Sequence, residues 1–243
     1  MRTAILVPAR NEARALPRLF AALSRSPGAN AYAVVVIDNG SSDATARVAR
    51  GLGAEVVSEP RPGYGQACLA GIAWLRRHRR PDALVFLDAD DFAAPAQIEK
   101  LMEPLRRDTA DMVIGERRGV GRGGVRWHAR LGNRFVLWVL RRRFGSSVAD
   151  MGPFRAVRWS TLEALAPDDP NYGWYVQMQA RALRSGYRVV GVPVDFERRT
   201  VGRSKVSGDP IASIRAGWVM LRTLAVEAFG RAPPGQSRAD ISS

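Results

Sequence analysis

The sequence predicts an α/β fold built on a mainly parallel sheet. Three observations carry that prediction. Short apolar or β-branched runs alternate with helix-like segments over residues 3–115, which is the rhythm of successive β-α-β units. Three of those runs end in polar or acidic clusters, at 8–12, 38–43 and 88–91. The chain has 243 residues, 46% of them hydrophobic, enough for one domain with a sizeable core. Ligands of open parallel sheets bind beyond the carboxyl ends of the strands, so one cleft is expected to collect all three clusters.

The first strand covers 3–8 and stops at Pro8. Asn11 is expected to cap a helix running to about Arg25, with Leu16, Leu19, Phe20 and Leu23 on one face. A second strand covers 32–37. Ser41 or Ser42 is expected to cap the next helix, which ends at Gly51-Leu52-Gly53. Strand 55–58, a Pro/Gly loop over 60–65 and a helix from Gln66 to about His78 follow. Next comes Leu84-Val85-Phe86-Leu87-Asp88-Ala89-Asp90-Asp91, a buried strand ending in three carboxylates. Such carboxylates repel unless a cation joins them, and a divalent metal carrying a phosphorylated ligand is the usual solution. The competing reading is a solvated turn before the next helix, 95–107. Strand 111–115 completes this half.

Beyond residue 115 the composition shifts. Residues 1–115 hold 15 basic and 13 acidic side chains, the remainder 22 and 10. Most of the net charge of +14 therefore lies in the second half, which points to an anionic partner such as a phosphate, a lipid surface or nucleic acid. Gly119, Gly121 and Gly124 fall at dinucleotide-fingerprint spacing but outside an early β-α-β unit, so a basic loop is expected. A helix over 126–143 carries Arg126, Arg130 and Arg134 on one stripe and Leu131, Phe135 and Trp138 on another. Residues 149–154 read as an edge strand or turn limited by Pro153. Helix 172–184, strand 188–194, a polar loop over 198–208 and helix 211–229 follow, and 231–243 read as a disordered tail. One cysteine, Cys68, and two histidines exclude a disulfide framework and make a zinc site a poor fit. No apolar run approaches the ~20 residues of a bilayer span, and 3–8 is too short for a secretory core.

In order along the chain, ILVPARNEA, VVIDNGSSDAT, GYGQACLAGI and LVFLDADD resemble the successive motifs of family-2 glycosyltransferases. Further on, GERR, WHARLGNR, DMGPFRAV, YGWYVQMQ and GRSKVSG resemble the dolichyl/polyprenyl-phosphate sugar transferase branch and its soluble bacterial relatives. The resemblance implies a GT-A fold, Rossmann-like, in one domain over 1–230, with a nucleotide-sugar half (1–115) and a basic acceptor half (116–230). It also implies transfer of a sugar, with inversion, from a UDP- or GDP-linked donor. By position, Pro8, Ala9, Arg10 and Glu12 would border the nucleotide, Asp38 would reach base or ribose with Asp43 nearby, and Gln66 would lie beside the donor. Asp88 and Asp90, around Ala89, would hold Mg²⁺ or Mn²⁺. Arg117, Arg130 and Arg134 would meet an acceptor phosphate, with Trp174 and Gln177 on the acceptor side. Arg203 and Lys205 would close over the diphosphate.

A hydroxyl acceptor needs a base. Many bacterial relatives of this kind place a Glu where this chain has Gln177, and an amide takes no proton. Asp150 is then the best candidate base, unless the acceptor is a phosphate that arrives ionised. A phosphate-type acceptor such as a polyprenyl phosphate is the leading expectation. Others are a soluble small-molecule acceptor, a catalytically degenerate relative, or a basic nucleic-acid-binding protein. The last leaves Asp38, Asp88 and Asp90 unexplained, so nucleic acid is not expected as a partner. A cytoplasmic protein is expected, with peripheral contact at the inner face of the membrane, or a second copy of the chain, as options for the apolar-faced helices.

Overall fold

The computed structural model describes residues 1–28, 31–118, 127–195 and 210–229, excluding the side chains at 118, 127–131, 210–218 and 229. Among these residues seven strands form one sheet: β1 (Thr3–Ala9), β2 (Tyr32–Asp38), β3 (Glu55–Ser58), β4 (Ala83–Phe86), β5 (Met112–Arg118), β6 (Arg155–Arg158) and β7 (Val189–Asp195). Their order is β3-β2-β1-β4-β6-β5-β7. β1 pairs in parallel with β2 and β4, β2 with β3, and β5 with β7. β6 runs antiparallel between β4 and β5. The mainly parallel α/β sheet expected from the sequence is present. The boundary expected between the two halves, at 115/116, falls inside β5.

Among the described residues eight α-helices flank the sheet: α1 (Leu16–Ser24), α2 (Thr45–Gly51), α3 (Tyr64–His78), α4 (Ile98–Arg106), α5 (Trp127–Phe144), α6 (Trp159–Leu165), α7 (Trp174–Arg184) and α8 (Pro210–Phe229). The strand alternation sorts side chains to two faces. Leu6, Ile37, Phe86 and Ile114 join one core with Cys68, Leu75, Leu162 and Trp174 of α3, α6 and α7. Ile5, Val7, Val36, Val85 and Val113 join the other with Leu16, Leu19, Ile98 and Leu101 of α1 and α4. Each buried side chain of this size contributes about 1.5–3 kcal/mol. Helix α3 lies close on the sheet because Gly71 faces it: a Cβ there would sit 2.5 Å from Leu6 and 2.7 Å from Ile37.

Three local expectations change. Asn11 caps no helix. It has φ 53°, its amide donates to Ser41 Oγ at 2.9 Å, and its Oδ1 accepts the Ser42 amide at 2.7 Å; α1 starts five residues later, with a proline in its first turn. Neither Ser41 nor Ser42 caps α2; Asp43 instead accepts the Thr45 amide at 2.9 Å. Residues 149–154 contain no strand, and the strand that follows Pro153 is central rather than at an edge. Pro153 lacks an N–H and so sits just before the ladder. On α5 the buried stripe is Val136, Val139 and Leu140, packed on α7 and α8. Phe135 and Trp138, on the apolar stripe read from the sequence, are 49% and 60% exposed. The tail at 231–243 lies outside the described residues.

Candidate active site

The carboxyl ends of β1, β2 and β4 lie side by side, because β1 pairs with both neighbours. That register brings the Pro8–Glu12, Asp38–Asp43 and Asp88–Asp91 segments to one edge of the sheet. Their loops are stitched together. Asp43 accepts the amides of Thr45 and Ala13, at 2.9 and 3.3 Å. The Thr45 hydroxyl donates to Asp43 and accepts the Glu12 amide at 2.8 Å. Asp38 Oδ1 accepts the Ser41 amide at 3.2 Å. Pro8 and Asp38 are half-buried, Ala9 is buried, and Arg10 and Asp43 are exposed.

A second layer is built by Asn39, Glu59 and Gln66. Buried Asn39 donates to the carbonyls of Glu59 and Arg61, at 3.0 and 2.7 Å, and accepts the Gly63 amide at 3.1 Å. Gln66, expected beside the donor, gives its side-chain amide to Glu59 Oε2 at 3.0 Å and its backbone N–H to the Pro170 carbonyl at 2.8 Å. Glu59 is buried, and hydrogen bonding from Arg61 holds its carboxyl down to about 2. Gly63 has φ 141°, and a Cβ there would lie 2.3 Å from the Pro170 carbonyl oxygen. The 168–171 turn therefore seats directly on the start of α3. Beside it, a cavity of about 390 Å³ between α3 and α6 is lined by Arg61, Gln66, Leu69, Arg76 and Leu162; none of the strand-end aspartates lines it.

At the end of β4, Asp88 and Asp90 are half-buried and Asp91 is buried. Asp91 Oδ1 accepts the Ala94 amide at 3.2 Å, which turns the chain towards α4. Asp88 accepts the Tyr64 hydroxyl at 3.1 Å. Burial pushes the Tyr64 and Tyr175 phenols up, so they stay protonated donors. Asp88 and Asp90 supply hard carboxylate oxygens at a partly open strand end, a donor set that suits Mg²⁺ or Mn²⁺. Among the described residues no three His, Cys, Asp or Glu side chains are grouped to hold a metal. Two carboxylates fit an ion that takes its other ligands from phosphates and water.

Arg117 faces this cluster from β5. It makes a side-on pair with Asp150: Nε to Oδ2 at 2.7 Å and Nη2 to Oδ1 at 2.8 Å. Burial pushes Asp150 up, but the Arg117 guanidinium more than offsets it, and the carboxyl lies below its usual range. Burial pushes Arg117 down, yet Asp150, Asp88 and Asp91 together hold it above its ordinary value. A carboxylate committed this way is a poor proton acceptor at neutral pH.

Gln177 is buried on α7 with both ends engaged. Its Oε1 accepts the amides of Asp168 and Asp169 at 2.8 and 2.9 Å. Its Nε2 donates to Asp168 Oδ1 at 2.8 Å and Glu227 Oε1 at 3.1 Å. Glu227 also accepts from Arg181 and Arg184, at 2.9 and 3.0 Å. Gln177 thus ties the 168–171 turn to α8 rather than lining an open acceptor surface. Trp174, also expected on the acceptor side, is fully buried, with its ring edge-on to Phe86 at 6.2 Å; it is a core residue. Arg134 is exposed on α5. The Arg130 side chain, Arg203 and Lys205 lie outside the described residues.

Comparison with known proteins fits this geometry. The model of the family described as Glycosyl transferase family 2 matches residues 4–163. An uncharacterized glycosyltransferase of Mycobacterium tuberculosis is 37% identical over 212 residues, covering 87% of this chain and 93% of that one. The undecaprenyl-phosphate mannosyltransferase of Micrococcus luteus is 35% identical over 226 residues, covering 86% of this chain and 88% of its own. The polyprenol monophosphomannose synthase of Mycolicibacterium smegmatis is 31% identical, covering 86% and 83%. Among solved structures, the glucosyl-3-phosphoglycerate synthase of Mycobacterium tuberculosis with Mn²⁺, UDP and phosphoglyceric acid shares the fold, at TM-score 0.75 and 23% identity over 93% of this chain and 78% of that one. The expected GT-A fold and enzyme class are therefore met, and the chain belongs to glycosyltransferase family 2.

Proposed function

We propose that this glycosyltransferase moves a sugar from a nucleotide-diphosphate donor, with a divalent metal, to an acceptor that attacks through an already ionised phosphate. One observation carries the acceptor half of this reading: neither candidate base is available. Asp150 is held as a depressed carboxylate against Arg117, and Gln177 is an amide bonded on both sides. A phosphate needs no deprotonation near neutral pH. Arg117, beside Asp88 and Asp91, is the described cation best placed to orient it.

On the donor side, Asp38 and the stitched loop from Pro8 to Glu12 border the nucleoside, and Asp88 and Asp90 would hold Mg²⁺ or Mn²⁺. Bound there, the metal would act as a Lewis acid that offsets charge on the departing diphosphate. The relatives that act on undecaprenyl phosphate and polyprenol phosphate favour a lipid phosphate as acceptor. Exposed Phe135 and Trp138, with exposed Arg134, Arg141 and Arg142 on the same helix, support peripheral contact with an anionic bilayer. Among the described residues no helix is long and apolar enough to cross a membrane. A soluble phosphorylated acid is the second reading, favoured by the neighbour structure that contains phosphoglyceric acid.

The donor half is tested by thermal shift with UDP, GDP and their sugar conjugates, each with Mn²⁺ or EDTA, on wild type and Asp90→Asn. Ligand binding raises the melting temperature by mass action. A metal-enhanced shift with one base, absent in Asp90→Asn, is expected. An equal shift in EDTA, or in the variant, would count against the metal site.

A further inference from the structure

Tyr64 opens α3 and reaches across 24 positions of sequence to donate its hydroxyl to Asp88 Oδ1 at 3.1 Å. Its ring is fixed from several directions. Tyr175 lies tilted against it, centroids 4.9 Å apart. The Arg155 guanidinium covers Tyr175 at 4.3 Å. Arg155 is fully buried in β6 and is itself held by the carbonyls of Gly152, at 2.7 Å, and Tyr175, at 3.3 Å. The start of α3 is clamped by the Asn39–Gly63 and Gln66–Pro170 bonds. The Tyr64 hydroxyl thus has a position set by the core, whereas Asp88 stands on a turn just past the end of β4.

We propose that Tyr64 is a positioning residue for the metal site, its hydroxyl setting the orientation of the Asp88 carboxylate towards the cation. The inference rests on the reading of Asp88 as a ligand. A carboxylate offers about four lone-pair sites. A phenol that claims one of them fixes the plane in which the others point and removes part of the entropy that metal binding would otherwise cost. Partners of this kind typically change metal affinity by about 10–100-fold when removed. No motif or spacing marks Tyr64 for this role.

The test is Mn²⁺ binding to the full chain, read by electron paramagnetic resonance with saturating UDP, for wild type, Tyr64→Phe, Asp88→Asn and Tyr32→Phe. Phenylalanine keeps the ring contact with Tyr175, so Tyr64→Phe retains its packing. Tyr32 gives its hydroxyl to Glu99 at the amino end of β2, so Tyr32→Phe controls for the loss of any phenol–carboxylate bond. The expected result is a Mn²⁺ affinity about tenfold weaker or more in Tyr64→Phe, near-complete loss in Asp88→Asn, no change in Tyr32→Phe, and unchanged UDP affinity in EDTA throughout. Wild-type Mn²⁺ affinity in Tyr64→Phe, with loss in Asp88→Asn, would overturn this inference and leave the metal site standing. So would weaker UDP binding of Tyr64→Phe in EDTA, which would make Tyr64 a nucleotide contact. Absence of Mn²⁺ binding in wild type would overturn the metal site itself.

Discussion

Replacing Gln177 with Glu separates a structural amide from a lost catalytic base. In the native protein the Gln177 Nε2 group donates to two carboxylates, Asp168 at 2.8 Å and Glu227 at 3.1 Å. A carboxylate at 177 would remove both donors and bring a third negative charge to the cluster. At 3.1 Å two unit charges repel by about 5 kcal/mol at an effective dielectric of about 20. Arg181 and Arg184 offset part of this. The cost is also capped, because the new carboxyl can take up a proton: from an ordinary value of about 4.3, protonation at pH 7 costs about 4 kcal/mol, and at pH 5 about 1 kcal/mol. Once protonated, it can donate to only one of the two partners. The expected destabilisation is therefore about 3–4 kcal/mol at pH 7, a fall of roughly 6–16 °C in melting temperature.

The sign of the pH effect follows. A carboxyl whose folded pKa is raised binds more protons in the folded state, so stability falls as pH rises from its unfolded value towards the folded one. The penalty of Gln177→Glu should shrink to about 1–2 kcal/mol near pH 5. Urea unfolding of both proteins at pH 5 and pH 7, with transfer assays to hydroxyl and phosphate acceptors, measures all of this. Equal stability at pH 7, a penalty independent of pH, or a large gain in rate toward a hydroxyl acceptor would show that Gln177 is not the structural tie described above.

Asp150→Asn should leave the Arg117 guanidinium without its counter-ion in a mostly buried setting, 25% exposed at its side chain, and cost about 2–4 kcal/mol; KM for the phosphate acceptor should rise, and an unchanged melting temperature would contradict the pairing. Glu59 contributes stability that is present above its unfolded value of about 4.3 and is lost as pH falls towards about 2. Melting temperatures between pH 6 and about pH 2.5 should therefore fall more steeply for wild type than for Glu59→Gln, and parallel curves would contradict the shift.

Short apolar runs made β1 to β5 legible from sequence, because the inner strands of a covered parallel sheet bury both faces. The ordered motifs made the family legible as well. β6 was not legible. Arg155-Ala156-Val157-Arg158 begins and ends in arginine, and its central place depends on the fully buried Arg155 finding carbonyl partners at Gly152 and Tyr175, which are tertiary contacts. Helix α6 is too short to show a period. On α5 periodicity located stripes without saying which one meets a neighbour; α7 and α8 select Val136, Val139 and Leu140. At the site, the aspartates stood out as a local cluster. The Asn39, Glu59 and Gln66 links, the Arg117–Asp150 pair and the Gln177 tie join residues far apart in the chain; the sequence singled out several of these residues but not which of them pair.

A product assay with paired acceptors decides whether the acceptor must arrive ionised. Radiolabelled UDP- and GDP-sugars would be incubated with the protein and Mn²⁺, offering undecaprenyl phosphate and, as its match without the phosphate, undecaprenol. Label is expected only on phosphate-bearing acceptors, and none when EDTA replaces Mn²⁺. Transfer to the dephosphorylated partner at a comparable rate would contradict an ionised acceptor, because some group in this protein would then be taking a proton that neither Asp150 nor Gln177 is placed to accept.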